Sequence, residues 1–134
     1  MRNSLKFIAG TKLAIAIICA LAVISVSAEG VKQKIRFARG ASSTTVKGAV
    51  VRGDQDRYYV GAKKGQTMSL RISSLESNAV FQVYSPGEAQ TLPGAGEGDD
   101  ATNWSGELPE DGEYVIVVGG TRGNATYNLK VSIQ

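Results

Sequence analysis

Seven carboxylates crowd residues 97–113: Glu97, Asp99, Asp100, Glu107, Glu110, Asp111 and Glu113. Two such groups at the right separation can carry out acid–base chemistry on a glycosidic bond. An oxygen-rich stretch such as Glu97-Gly98-Asp99-Asp100 could hold calcium. Lys63 and Lys64 offer a second chemistry, because a lysine of lowered pKa can activate a serine. Each reading fails on its surroundings. The acids fall among Gly, Pro and Thr, in turn and loop sequence where charge serves solubility. The acidic stretch lacks the ordered alternation of ligands found in calcium loops. The lysines sit in a turn, in the open and away from any burying surface. There is no histidine, and the one cysteine, Cys19, lies in an apolar leader. Ser-His-Asp arrangements, cysteine nucleophiles and His/Cys zinc sites are therefore absent. No phosphate-cradling Gly-Lys-Ser/Thr motif occurs either. The chain reads as a non-enzyme that needs no cofactor and no metal.

The leader occupies residues 1–28. Arg2, Lys6 and Lys12 open it, Leu13 to Val26 forms a 14-residue apolar run, and Val26-Ser27-Ala28 supplies small residues for cleavage. That is the pattern of a secretory signal peptide, and the run is short for a membrane span. Ile18 before Cys19 argues against lipidation. The expected mature domain, 29–134, carries 12 basic and 12 acidic residues, giving no case for nucleic acid and none for a membrane after cleavage. Its charge is uneven. Residues 29–71 hold ten Lys/Arg against three acids, and 72–134 hold two against nine. Either the two halves interleave and cancel in space, or an acidic end persists as a steering surface.

The mature sequence reads as an all-β domain, a single jelly-roll-like β-sandwich of about eight short strands. Strands are expected near 32–38, 44–52, 57–62, 67–73, 79–84, 104–108 and 113–118, with a closing strand through Tyr127, Leu129, Val131 and Ile133. Met68, Leu70 and Ile72 alternate with Ser69 and Arg71, so the first three face a core. Gly48 suggests a bulge. The segments 63–66 and 119–124 read as hairpin loops. Strand 113–118 is apolar on both faces, as a central strand is. Residues 86–103 contain few large apolar groups, and a loop of that length is often functional or mobile. Trp104 follows it, as a core plug or an exposed anchor.

Several segments resemble the bacterial pre-peptidase C-terminal domain: Lys34-Ile35-Arg36-Phe37-Ala38-Arg39-Gly40, Asp56-Arg57-Tyr58-Tyr59, Ala62-Lys63-Lys64-Gly65-Gln66, Phe81-Gln82-Val83-Tyr84-Ser85-Pro86-Gly87, Leu108-Pro109-Glu110-Asp111-Gly112-Glu113-Tyr114 and Tyr127-Asn128-Leu129-Lys130-Val131. The resemblance implies a non-catalytic β-sandwich. Ser42-Ser43, Thr121-Arg122 and the Tyr127-Asn128 ending, standing alone behind a leader, also resemble the periplasmic inhibitors of goose-type lysozyme. It implies a periplasmic or secreted protein whose partner is a lysozyme or another cell-wall hydrolase. Small lysozyme inhibitors use a Ser-Gly-x-Tyr loop; here Asp111-Gly112-Glu113-Tyr114 stands in its place, with Asp for Ser. The same four residues also suit a turn followed by an inward-facing Tyr. The candidate contact residues are Asp99, Asp100, Trp104, Glu110, Asp111, Gly112, Tyr114 and Arg122. The acids would steer a basic partner, and Arg122 would pair with a carboxylate in its cleft. The alternative is an exported carbohydrate- or matrix-binding or structural envelope module.

Overall fold

The computed structural model describes residues 30–134. The leader and its cleavage site lie outside the described residues. Eight strands run β1 (Lys32–Lys34), β2 (Ser43–Val50), β3 (Gln55–Ala62), β4 (Thr67–Ser74), β5 (Ala79–Tyr84), β6 (Asn103–Glu107), β7 (Gly112–Gly120) and β8 (Ala125–Ile133). They form two four-stranded sheets, ordered β1-β3-β7-β5 and β2-β8-β4-β6. Odd strands make one sheet and even strands the other, so every connection crosses the sandwich. The segments 63–66 and 119–124 are therefore arches between sheets and not hairpins, which corrects the sequence reading. Turn residues mark a reversal of the chain equally well in both cases; they do not say which sheet receives the next strand.

Period-two alternation places Tyr58, Val60, Met68, Leu70, Phe81, Val83, Tyr114, Ile116, Val118, Leu129 and Val131 in the core, each essentially fully buried. β7 is central, and Val115 and Val117 on its outer face are buried as well. The ion pair between Arg57 and Glu88, at 2.5 Å, reaches across β7 from β3 to the 3₁₀ turn Pro86–Glu88. β1 is shorter than the strand expected at 32–38. It pairs parallel to β3 up to Lys34, Ile35 donates one more bond to Tyr59, and the chain then leaves for the other sheet.

Gly48 is not at a bulge. The β2–β8 register runs without a break from Ser43–Ser132 to Val50–Ala125. A Cβ at Gly48 would lie 2.4 Å from the Tyr127 hydroxyl and 2.9 Å from that of Tyr58. The glycine makes room for a buried polar chain. Tyr127 donates to Asp56 Oδ2 at 2.5 Å, the Tyr58 and Tyr127 hydroxyls are 2.5 Å apart, and Asp56 Oδ1 accepts the Val31 N–H at 2.8 Å. Asp56 is 1% exposed, and both of its oxygens are satisfied, as burial demands. Burial pushes both tyrosine pKa values above the ordinary value, most strongly for Tyr127, whose bonds to Asp56 and Tyr58 act in the same direction.

Within the long stretch 86–103, the segment 89–102 is packed along the sandwich. It runs beside β5 through bridges Tyr84–Thr91 and Phe81–Ala101, and it contributes Leu92, Ala95 and Ala101 to the core. Strand interleaving mixes the charges only in part: Lys34 pairs with Glu113 and Arg57 with Glu88 across the two halves. Lys34, Arg36 and Lys47 share a groove between β1 and β2 on one flank, while Glu97, Asp99, Asp100 and Glu107 lie on or beside the β5–β6 flank opposite.

Candidate functional site

The predicted contact residues fall in three places. Asp99 and Asp100 are exposed in the packed segment, where Asp99 Oδ2 accepts the Gly96 N–H at 2.7 Å. Trp104, on β6, is half-buried and packs against the core; its Nε1 donates to the Pro93 carbonyl at 2.8 Å and ties the segment down. Among the described residues no group of three or more acids could hold a metal ion.

Glu110, Asp111, Gly112 and Tyr114 lie at one end of the sandwich, where β3 ends and β7 begins. Tyr114 is 0% exposed. Its hydroxyl donates to the Glu110 carbonyl at 2.6 Å and accepts the Glu110 N–H at 3.1 Å, a tyrosine corner that fastens the turn to the strand. Asp111 Oδ1 accepts the Lys64 N–H at 2.7 Å, joining two arches. Gly112 has φ +144°, and a Cβ there would meet Pro86 at 2.7 Å. The Asp-Gly-Glu-Tyr stretch is thus a structural joint, and Tyr114 has no surface to offer a partner.

Arg122 lies at the other end, so the structure does not bring it together with Glu110 and Asp111. This end carries three arches: 51–54, 75–78 and 121–124. Buried Asn78 fastens them. Its Nδ2 donates to the Arg122 and Asn124 carbonyls at 3.1 and 2.9 Å, and its own carbonyl accepts the Thr121 N–H at 2.9 Å. Asn124 Oδ1 accepts the Arg52 N–H at 2.8 Å, bringing in the third arch. Arg122 Nη2 donates to the Glu76 carbonyl at 2.7 Å, which orients the guanidinium and leaves the rest of its donor fork to solvent.

The other two arches at this end carry two exposed apolar residues the sequence reading missed. Leu75 is 98% exposed and Val51 57% exposed. Leu75 is the lone apolar side chain in Ser73-Ser74-Leu75-Glu76-Ser77-Asn78, and that mismatch was the available signal. Single exposed hydrophobics are ordinary. An almost wholly exposed leucine on a fastened arch, one residue from the carbonyl that holds an arginine, has the composition of an interface anchor.

The fold is that of the pre-peptidase C-terminal domain. The collagenase domain from Bacillus anthracis superposes with a TM-score of 0.56 at 17% identity, over 81% of this chain and 100% of that one. Closer in sequence is the crystal structure of Aeromonas hydrophila PliG, a periplasmic inhibitor of g-type lysozyme, at 36% identity and a TM-score of 0.68, covering 80% of this chain and 100% of that one. The Salmonella Typhimurium protein of the same description follows at 24% identity and a TM-score of 0.62, over 78% of this chain and 99% of that one. The chain belongs to the PliG family. No protein-family model matches it, and no curated protein does.

Proposed function

We propose that this chain is a non-catalytic periplasmic inhibitor of g-type lysozyme, exported by residues 1–28 and active as 29–134, and that it docks through the end built from arches 51–54, 75–78 and 121–124. Family membership supports the class of partner. The observation that carries the docking surface is that Arg122, held by the Glu76 carbonyl, and the exposed Leu75 sit on arches fastened by Asn78. Arg122 pairs with a carboxylate in the lysozyme cleft in a charge-assisted contact. Leu75 supplies an apolar anchor whose position is set before binding, so little ordering cost opposes association. Glu110 and Asp111 lie at the opposite end of the sandwich, and the acids at 97–111 act through long-range steering.

The test is inhibition of a purified g-type lysozyme by the processed protein, with variants. Arg122→Ala and Leu75→Ser should each weaken inhibition by roughly thirtyfold, the hot-spot value of about 2 kcal/mol, without lowering the melting temperature. Asp99→Asn with Asp100→Asn should change the association rate and its salt dependence, and leave dissociation alone. Absence of inhibition at micromolar protein rejects the proposed function. Full inhibition by both arch variants rejects this docking surface.

A further inference from the structure

The outer face of the sheet β2-β8-β4-β6 is built differently from an ordinary solvated face. Along it, Ser43, Ser132, Ser69 and Ser105 stand directly across from one another on all four strands, and the Ser69 and Ser105 hydroxyls are 3.0 Å apart. The next row is Thr45, Lys130, Arg71 and Asn103, and the row beyond it is Lys47, Asn128 and Ser73. Arg71 and Lys130 are thus like charges directly opposite on paired strands, an arrangement that destabilises a sheet. Lys47 adds a third cation one row away. No carboxylate forms an ion pair with any of the three among the described residues. The only acid on these four strands is Glu107, which sits opposite Thr67, four residues along β4 from Arg71. Between the two opposed cations the surface is concave, a hollow of about 240 Å³ lined by Ser69, Leu70, Arg71, Asn103, Lys130 and Ser132.

We infer that this hollow is an oxyanion site and that the face around it binds an anionic saccharide. Two opposed cations with nothing to neutralise them are relieved by one carboxylate or phosphate group placed between them. The guanidinium offers a bidentate grip, the ammonium a point charge, and the flanking hydroxyls and the Asn103 amide further donors. The rest of the face extends this chemistry. It is a field of hydroxyls and amides about 15 Å wide across four strands, matched to a polyhydroxylated chain. A peptide would add to a strand edge and not to a pleated face. A bilayer would be met by apolar groups beside Arg71 and Lys130, and the large exposed apolar side chain at this face, Leu75, lies at its far edge beside Lys47 and Ser73. The Arg71–Lys130 hollow includes neither Arg122 nor Leu75, although Leu75 borders the far row of the face.

The experiment is titration of the processed protein at low ionic strength with polygalacturonate for carboxylate, a phosphorylated mannan for phosphate, and neutral dextran. Binding to one or both polyanions and not to dextran is expected, and the preferred polymer identifies the oxyanion. Arg71→Gln and Lys130→Gln should each weaken binding at least fivefold. Lys63→Gln with Lys64→Gln, at the sandwich end, should leave it within twofold. Lys130→Gln should also raise the melting temperature, since it removes the like-charge contact. All of these variants should retain inhibition of g-type lysozyme, so this inference and the proposed function fail separately. No binding to either polyanion, equal loss in the Lys63/Lys64 variant, or equal affinity for poly-glutamate or anionic vesicles overturns it.

Discussion

Gly48→Ala tests the buried polar chain most directly. The new methyl group would lie 2.4 Å from the Tyr127 hydroxyl oxygen, 2.5 Å from Tyr127 Cζ and 2.9 Å from the Tyr58 hydroxyl. Carbon–carbon contact needs about 3.5–4.0 Å, so the Tyr127 ring must retreat by about 1 Å or the β2 backbone must lift. Neither is free. The ring is 2% exposed and its hydroxyl is the partner of Asp56 Oδ2. Overpacking of this kind costs about 1–3 kcal/mol, and leaving the Asp56 carboxyl short of a partner costs about 1–3 kcal/mol more. Against this, Ala in place of Gly within a strand returns only about 0.5–1 kcal/mol. The net loss is about 1–5 kcal/mol, which for a domain of this length lowers the melting temperature by roughly 4 °C or more. Thermal and urea unfolding of the processed protein measure it, with Gly61→Ala as control, because a Cβ there meets nothing within 4 Å. The control should be neutral or slightly stabilising. If Gly48→Ala melts within 2 °C of the parent, the close approach is not what holds the glycine there.

Stability should also depend on alkaline pH through Tyr58 and Tyr127. Both have folded pKa values raised above the ordinary value of 10.0, so their full contribution is present below pH 10 and is lost as the pH climbs above it. The urea midpoint should fall above pH 10, and Tyr127→Phe should flatten that fall while lowering stability at neutral pH. Tyr114→Phe should cost about 1 kcal/mol through loss of the corner hydrogen bonds, and Tyr114→Ala about 3–5 kcal/mol through the cavity, both read by denaturation. Trp104→Phe removes the bond to Pro93 and should speed amide exchange at 92–95 with little effect elsewhere. Chelator should leave the melting temperature unchanged; a drop of ten degrees would establish a structural ion.

The core was legible because alternation is a local code. Met68, Leu70 and Ile72, or Tyr127, Leu129, Val131 and Ile133, announce a buried face whatever strand lies beside them. The candidate site was only partly legible. Arg122 stood out as a lone charge in a glycine-bounded arch. Leu75 escaped because its exposure depends on how two sheets end, not on its neighbours in the chain. Tyr114 was ambiguous for the opposite reason: the same Gly-x-Tyr suits an exposed loop and a tyrosine corner, and only the bond back to Glu110 separates them.

By itself the sequence determined strand positions to within a few residues, the inward set, the turns, and the absence of histidine and thiol chemistry, all properties of residues close together in the chain. Tertiary structure decided the pairings. Successive strands alternate between sheets, so paired strands lie far apart in the chain, and no local pattern encodes a partner that far away. From those pairings follow the burial of Asp56 between two tyrosines, the need for glycine at 48, and the meeting of arches 51–54, 75–78 and 121–124 at one end. They also decide that Arg71 and Lys130, 59 positions apart in the sequence, face solvent side by side.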